Sequence, residues 1–144
     1  MIVPDANLLL YACDTTSPFH ERARRWWQEC LSGDEAVGLT HPCLFAFLRI
    51  STNPRIFTNP LTLAASTAHL RSWMTRRVCQ VLQASGDHMA RVTDLLEAAG
   101  GTAGNLVTDA QIAALAMMYR AVVHTADRDF LRFQDLRCHF PLDG

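Results

Sequence analysis

The chain has 144 residues, 49% of them hydrophobic, which is enough for one domain of ordinary size with a real core. Its net charge of −1 excludes a protein that coats polyanions by bulk charge alone. All 13 basic residues are Arg, which reflects either GC-rich codon usage or a need for bidentate phosphate contacts. The five cysteines, Cys13, Cys30, Cys43, Cys79 and Cys138, are odd in number and irregularly spaced, which argues against a zinc site or a disulfide framework. No stretch is long enough to span a membrane, and no basic segment precedes an apolar run at the start. A reducing cytoplasm is the expected compartment.

In chain order, "MIVPD" reads as a short buried strand ending at Asp5, followed at once by the compact apolar helix "ANLLLYAC". Ser17 and Pro18 start a second helix, with Phe19, Ala23, Trp26, Trp27, Cys30 and Leu31 on its apolar face. "EAVGLT" is a second strand, and Pro42 opens a third helix, "PCLFAFLRIS". Two Asn-Pro pairs make "TNPRIFTNPLT" a loop. Helical spacing returns in "TLAASTAHLRSWMTRR", with Leu63, Leu70, Trp73 and Met74 as the apolar set. "VCQVL" is a third strand. The helix after it turns Met89, Val92 and Leu96 to one side and stops at Gly100 and Gly101. "NLVTDAQIAALAMMYRA" is helical through Ile112, Leu115, Ala116 and Tyr119. "AVVHT" is a fourth strand, "DRDFLRF" a turn or more of helix, and "LRCHF" a last strand.

Strands alternating with helices predict an α/β domain over 1–144, a short parallel sheet with helices on both faces. In such sheets the chemistry sits at the carboxyl ends of the strands. Asp5 ends the first strand, Asp127 and Asp129 follow the fourth, and Asp109 lies in the first turns of the helix before it. If those ends are neighbours, the acids converge. At 4 Å, two like charges repel by about 4 kcal/mol at an effective dielectric near 20. A hard divalent ion such as Mg²⁺, or Mn²⁺, is the natural partner for that oxygen set. Taken singly, Asp5 is equally read as the cap of the helix after it, Asp109 as a charge favouring its helix dipole, and Asp127 and Asp129 as a cap or as partners for Arg128 or Arg132.

"VPDANLLLYA", "FLRISTNPRIF", "LVTDAQIAALA" and "HTADRDFLRF" together resemble the PIN-domain ribonucleases, within them the VapC toxins of bacterial toxin–antitoxin pairs. The resemblance implies a three-layer fold and a Mg²⁺- or Mn²⁺-dependent endoribonuclease that cuts structured RNA. It also implies a cognate antitoxin and a homodimer. It carries Asp5, Asp109 and Asp127 over as metal ligands and Asp129 as an outer or second-metal ligand. Asn7 matches the polar position that supports the first acid, and Thr125 the small hydroxyl residue before the later acids. Asn7, Thr125, Arg49 and Arg128 are the expected substrate-side residues. Arg49 is equally read as pairing with a site carboxylate. Where many relatives carry Glu, this chain has Ala46, which lowers the ligand count. One rival reading is therefore a PIN-like module that binds RNA or a partner without cutting. A second rival, phosphotransfer with Asp5 as nucleophile, suffers from "Asp-Ala-Asn" lacking a second Asp and from the absence of Lys. His20, His41 and His124 have no spacing of a catalytic pair. Trp26, Trp27 and Trp73 are read as packing.

Overall fold

The computed structural model describes residues 1–100, 104 and 106–144. In chain order these form β1 (Ile2–Pro4), α1 (Ala6–Cys13), α2 (His20–Ser32), β2 (Val37–Leu39), α3 (His41–Ser51), α4 (Leu63–Met74), β3 (Cys79–Val81), α5 (His88–Ala98), α6 (Leu106–Met118) and β4 (Val122–His124). A 3-10 turn (Arg128–Arg132) and β5 (Cys138–His139) complete the chain. Gly101 and Asn105, expected at the end of one helix and the start of the next, lie outside the described residues.

The strands form one parallel sheet in the order β3-β2-β1-β4-β5, and helices cover it on both faces. The chain builds outward from β1 through β2 to β3, then returns to lay β4 on the other side of β1. The β1/β4 seam is thus the topological switch point, where parallel sheets open a crevice at their carboxyl ends. Ile2, Val3 and Pro4 pair with Val122, Val123 and His124, so Asp5 and Thr125 leave the sheet side by side.

β1 and β2 are buried along their whole length, whereas β3 and β5 each keep an exposed residue. Val3, Val37, Leu39 and Val123 expose no surface. At Gly38 a Cβ would come within 2.8 Å of Leu82 and 2.9 Å of the Met1 sulfur, so the middle of β2 has no room for a side chain. The tryptophans pack as expected: Trp27 meets Trp73 edge-on at 5.6 Å, and Phe47 meets Trp73 at 4.9 Å. Helix starts are capped by side chains the sequence offers at those points. Thr40 accepts from the Cys43 N–H and Thr62 from the Ala65 N–H.

Three apolar faces differ from expectation. Leu63 and Met74 are exposed (67% and 41%), and α4 instead turns Ser66, Leu70 and Trp73 inward. Ser66 is tolerated there because its hydroxyl meets that of Ser51 on α3 at 2.7 Å, so both polar groups are satisfied. Met89 is solvent-exposed while Val92 carries the burial of α5. Phe19 sits at the N-cap of α2, outside the core, against Tyr11 and Arg22. No helix among the described residues is long and apolar enough to cross a membrane.

Candidate active site

Asp5 is placed by the end of β1 and the start of α1. Its backbone N–H is bonded to the His124 carbonyl, which fixes it against β4. The residue is 4% exposed, and its side chain makes no helix-capping bond although it stands at the N-cap. What holds the carboxylate is Thr125, whose hydroxyl donates to Oδ2 at 2.8 Å. The same hydroxyl oxygen accepts the Asp127 N–H at 2.9 Å. Thr125 is completely buried, and its hydroxyl both donates and accepts within the protein. The expectation that Thr125 contacts substrate is therefore corrected: it is a clamp between two acids.

Asp127 is the N-cap of the 3-10 turn, where Oδ1 accepts the Asp129 N–H at 2.9 Å. The helix-cap reading of this stretch thus holds for Asp127, and it occupies only one carboxylate oxygen. Asp129 is exposed. Asp109 sits half-buried in the first turn of α6 and makes no hydrogen bond or ion pair among the described residues.

The acids sense one another. Burial pushes the Asp109 carboxyl up to about 7, and the charges of Asp5, Asp127 and Asp129 add to the rise. Burial also lifts Asp5 to about 6; the Thr125 hydroxyl and the amides of Ala6 and Asn7 pull it back, and the charge of Asp127 raises it. Both carboxyls are held above the ordinary carboxylate range, and because the charge of Asp5 acts on Asp109 they titrate as a coupled pair. Burial, with the Asp5 charge adding to it, pushes the Cys43 thiol up and keeps it neutral.

Among the described residues, none of the ion pairs includes these four acids. Arg128, expected on the substrate side, is instead committed to Asp143 and lies 3.8 Å over the Phe140 ring. Arg132 donates to the Ala99 carbonyl. His124 supplies no charge either. Burial and His139 push it down to about 4, and its Nδ1 accepts from the Trp26 indole N–H at 3.1 Å. Asn7 is partly buried in the first turn of α1, and its backbone amide is one of the groups that stabilise the Asp5 charge.

An uncompensated set of oxygen donors is the set that hard divalent cations take. Asp5 and Asp127 each have one oxygen tied by a hydrogen bond, which leaves one each for a ligand. Among the described residues, however, no three Asp, Glu, His or Cys side chains are drawn together tightly enough to form a ready ligand shell. The donor chemistry fits a cation; the shell is open.

Beside the acids, α3 and the first turns of α6 enclose an open cleft of about 410 Å³, lined by His41, Phe45, Ala46, Arg49, Thr108 and Gln111. Ala46 is buried in its floor, and no carboxylate lines the cleft among the described residues. Of the residues lining this cleft, Arg49 is expected on the substrate side from the sequence, whereas Phe45, Thr108 and Gln111 are not. The available signal was Phe45 itself, an aromatic residue off the Cys43–Phe47 core face.

A family model described as PIN domain matches residues 2–136. The chain is 44% identical to Ribonuclease VapC33 of Mycobacterium tuberculosis, with 99% of each chain covered. It is 36% identical to Ribonuclease VapC37 of the same organism, covering 98% of this chain and 97% of the relative. Among solved structures, M. tuberculosis VapC20, described as a sarcin–ricin loop cleaving toxin, is similar in fold with a TM-score of 0.70 at 17% identity. That likeness covers 95% of this chain and 99% of the other. VapBC-1 from nontypeable Haemophilus influenzae is similar with a TM-score of 0.68 at 19% identity, covering 99% and 100%.

Proposed function

The chain belongs to the PIN-domain family, and we propose that it is a VapC-type endoribonuclease toxin that cuts structured RNA with the help of Mg²⁺ or Mn²⁺. The observation that carries this reading is the charge imbalance at the β1/β4 seam: Asp109 is raised to about 7 beside three other acids, with no protein cation paired to them among the described residues. A fold keeps such an arrangement where a bound cation offsets it.

Asp5, Asp109 and Asp127 are the residues that would hold the ion, with Asp129 as an outer ligand. When bound, such an ion lowers the pKa of a water and offsets charge on the phosphodiester. The protein's own contribution is positioning. Thr125 fixes the rotamer of Asp5 and the backbone of Asp127 together, so the two acids hold a constant separation. Asp109, titrating near neutrality, releases its proton readily when positive charge arrives. No side-chain nucleophile is required, and the five cysteines remain thiols.

The partners follow the same reading: RNA as substrate, an antitoxin as inhibitor and a second copy of the chain, all in the cytoplasm. The relatives' ribonuclease names and the VapBC neighbour support it. A second reading, a module that binds RNA without cutting it, draws on the buried Ala46 and the open ligand shell. One experiment separates the two. RNA ends are mapped after induction in cells, and with purified protein in EDTA, Mg²⁺ or Mn²⁺, for the natural chain and Asp5→Asn. New ends that require metal and Asp5 support the nuclease. Cleavage persisting in EDTA, or equal in Asp5→Asn, overturns it; RNA binding without new ends favours the module.

A further inference from the structure

We propose that the outer face of α3 reads the substrate: Phe45 stacks on an unpaired nucleobase of the RNA, and Arg49 holds the adjoining phosphate. The inference rests on the ribonuclease reading above and names the part of the RNA that its cleft receives. His41, Phe45 and Arg49 recur every four residues, so they line one stripe of the helix at intervals of about 6 Å. All three are exposed, while Cys43, Leu44, Ala46 and Phe47 take up the burial of the same helix.

A lone exposed apolar residue needs no explanation. Phe45 is not alone. The residue is 64% exposed, and its ring lies nearly parallel to that of His41, 23° apart in plane with centroids 6.1 Å apart. The two rings are stacked at the rim of the 410 Å³ cleft, an aromatic ledge to which the exposed Phe45 contributes an accessible ring. The cleft's opposite wall is Thr108 and Gln111, a hydroxyl and an amide that offer both donors and acceptors to the edge of a base. Thr108 immediately precedes Asp109, so the cleft lies along the same first turns of α6 that carry one of the acids. Charge selects the occupant. Four acids repel an approaching polyanion, and the cleft beside them carries Arg49 and no carboxylate among its described lining. A π-face, a guanidinium and an amide fit an extruded base and its phosphate better than they fit an apolar peptide. Ala46 contributes by being small: it gives the cleft a floor where a longer acid would bring both bulk and repulsion.

The test uses the full chain in EDTA, where nothing is cut, and a short unstructured RNA carrying 2-aminopurine, with its fully paired duplex as the comparison. The natural protein is expected to prefer the single strand and to quench the probe. Phe45→Leu, which keeps apolar bulk but loses the π-face, is expected to weaken single-strand binding about tenfold and to abolish the quench. Phe45→Trp restores both. Arg49→Gln lowers the salt dependence by about one phosphate contact. Melting curves confirm that each variant is folded. Undiminished quenching by Phe45→Leu overturns the proposal, as does failure of the natural protein to bind the probe. A shift of Phe45→Leu from dimer to monomer with RNA affinity unchanged overturns it in favour of a self-association face. The two readings fail separately. Quenching by a natural protein that cuts no RNA with Mg²⁺ removes the nuclease and leaves the ledge. Metal-dependent cleavage with quenching unchanged in Phe45→Leu removes the ledge and leaves the nuclease.

Discussion

Replacing Asp109 by Asn removes one charge from the acid cluster at nearly constant size. The carboxyl titrates near 7 in the folded protein against an ordinary 3.8, raised by burial first and by Asp5, Asp127 and Asp129 next. An acid whose folded pKa is raised binds its proton more tightly when folded. Its contribution to stability is fully present below about pH 4 and is lost as pH climbs through 7. At pH 8 the natural protein therefore carries a penalty that the Asp109→Asn variant lacks. A displacement of that size is worth about 4 kcal/mol where water is excluded. Asp109 is only half-buried, so screening reduces this to about 1–2 kcal/mol. For a chain of this size that is a rise of about 3–6 °C in melting temperature for Asp109→Asn at pH 8 in EDTA. The gain should shrink steadily and vanish near pH 4. The assay is a set of melting curves for both proteins across pH 4–8 in EDTA, repeated with excess Mg²⁺, which should stabilise the natural chain more. RNA cleavage by the variant should be abolished. Marked destabilisation of Asp109→Asn in EDTA, or a difference independent of pH, would refute the reasoning and make Asp109 a structural residue.

Cleavage should be lost in EDTA and return with Mg²⁺ or Mn²⁺, measured on protein freed of contaminating nuclease; activity that survives chelation counts against the metal. Thr125→Val should cost about 1–3 kcal/mol in urea melts, because it strands the part-buried Asp127 N–H and releases Asp5. It should also raise the Asp5 pKa further, visible as a shift of the carboxyl titration by NMR; an unmoved Asp5 would deny the clamp. Leu63→Glu with Met74→Glu should weaken homodimer or antitoxin association without lowering the melting temperature of the dissociated chain, since both side chains are exposed. Sedimentation at several concentrations, with and without antitoxin, decides; unchanged association places the interface elsewhere.

The architecture was legible where burial is total. Three-residue strands such as Ile2–Pro4 and Val37–Leu39 are continuous apolar runs flanking helices, which is how a strand covered on both faces reads. The tryptophan face of α2 was legible because four buried positions repeat at helical spacing. The face of α4 was not, since hydropathy counts Ser66 as polar and Leu63 as core. The structure reverses both, because Ser66 finds Ser51 across the helix pair, a partner 15 residues away. Met89 failed for the converse reason: apolar character does not compel burial when Val92 already fills the contact.

The acids present a different case. Their positions at strand ends follow from local pattern, but their convergence depends on β4 lying beside β1, which no local window contains. Once that order is set, the remaining geometry is forced. Register places Thr125 next to Asp5, and a single hydroxyl then has two bonds to make within reach. A hydroxyl before two aspartates looks like a substrate contact in one dimension and is a fully buried clamp in three. The clamp also explains why cap and cluster readings of the same aspartates are compatible. A carboxylate has two oxygens. Asp127 engages one with the Asp129 N–H, and Asp5 engages one with Thr125, so local structure fixes each side chain while leaving an oxygen of each for chemistry. Asp109 engages neither oxygen among the described residues, so nothing offsets the burial that raises its carboxyl and the charges of Asp5, Asp127 and Asp129 that add to the rise.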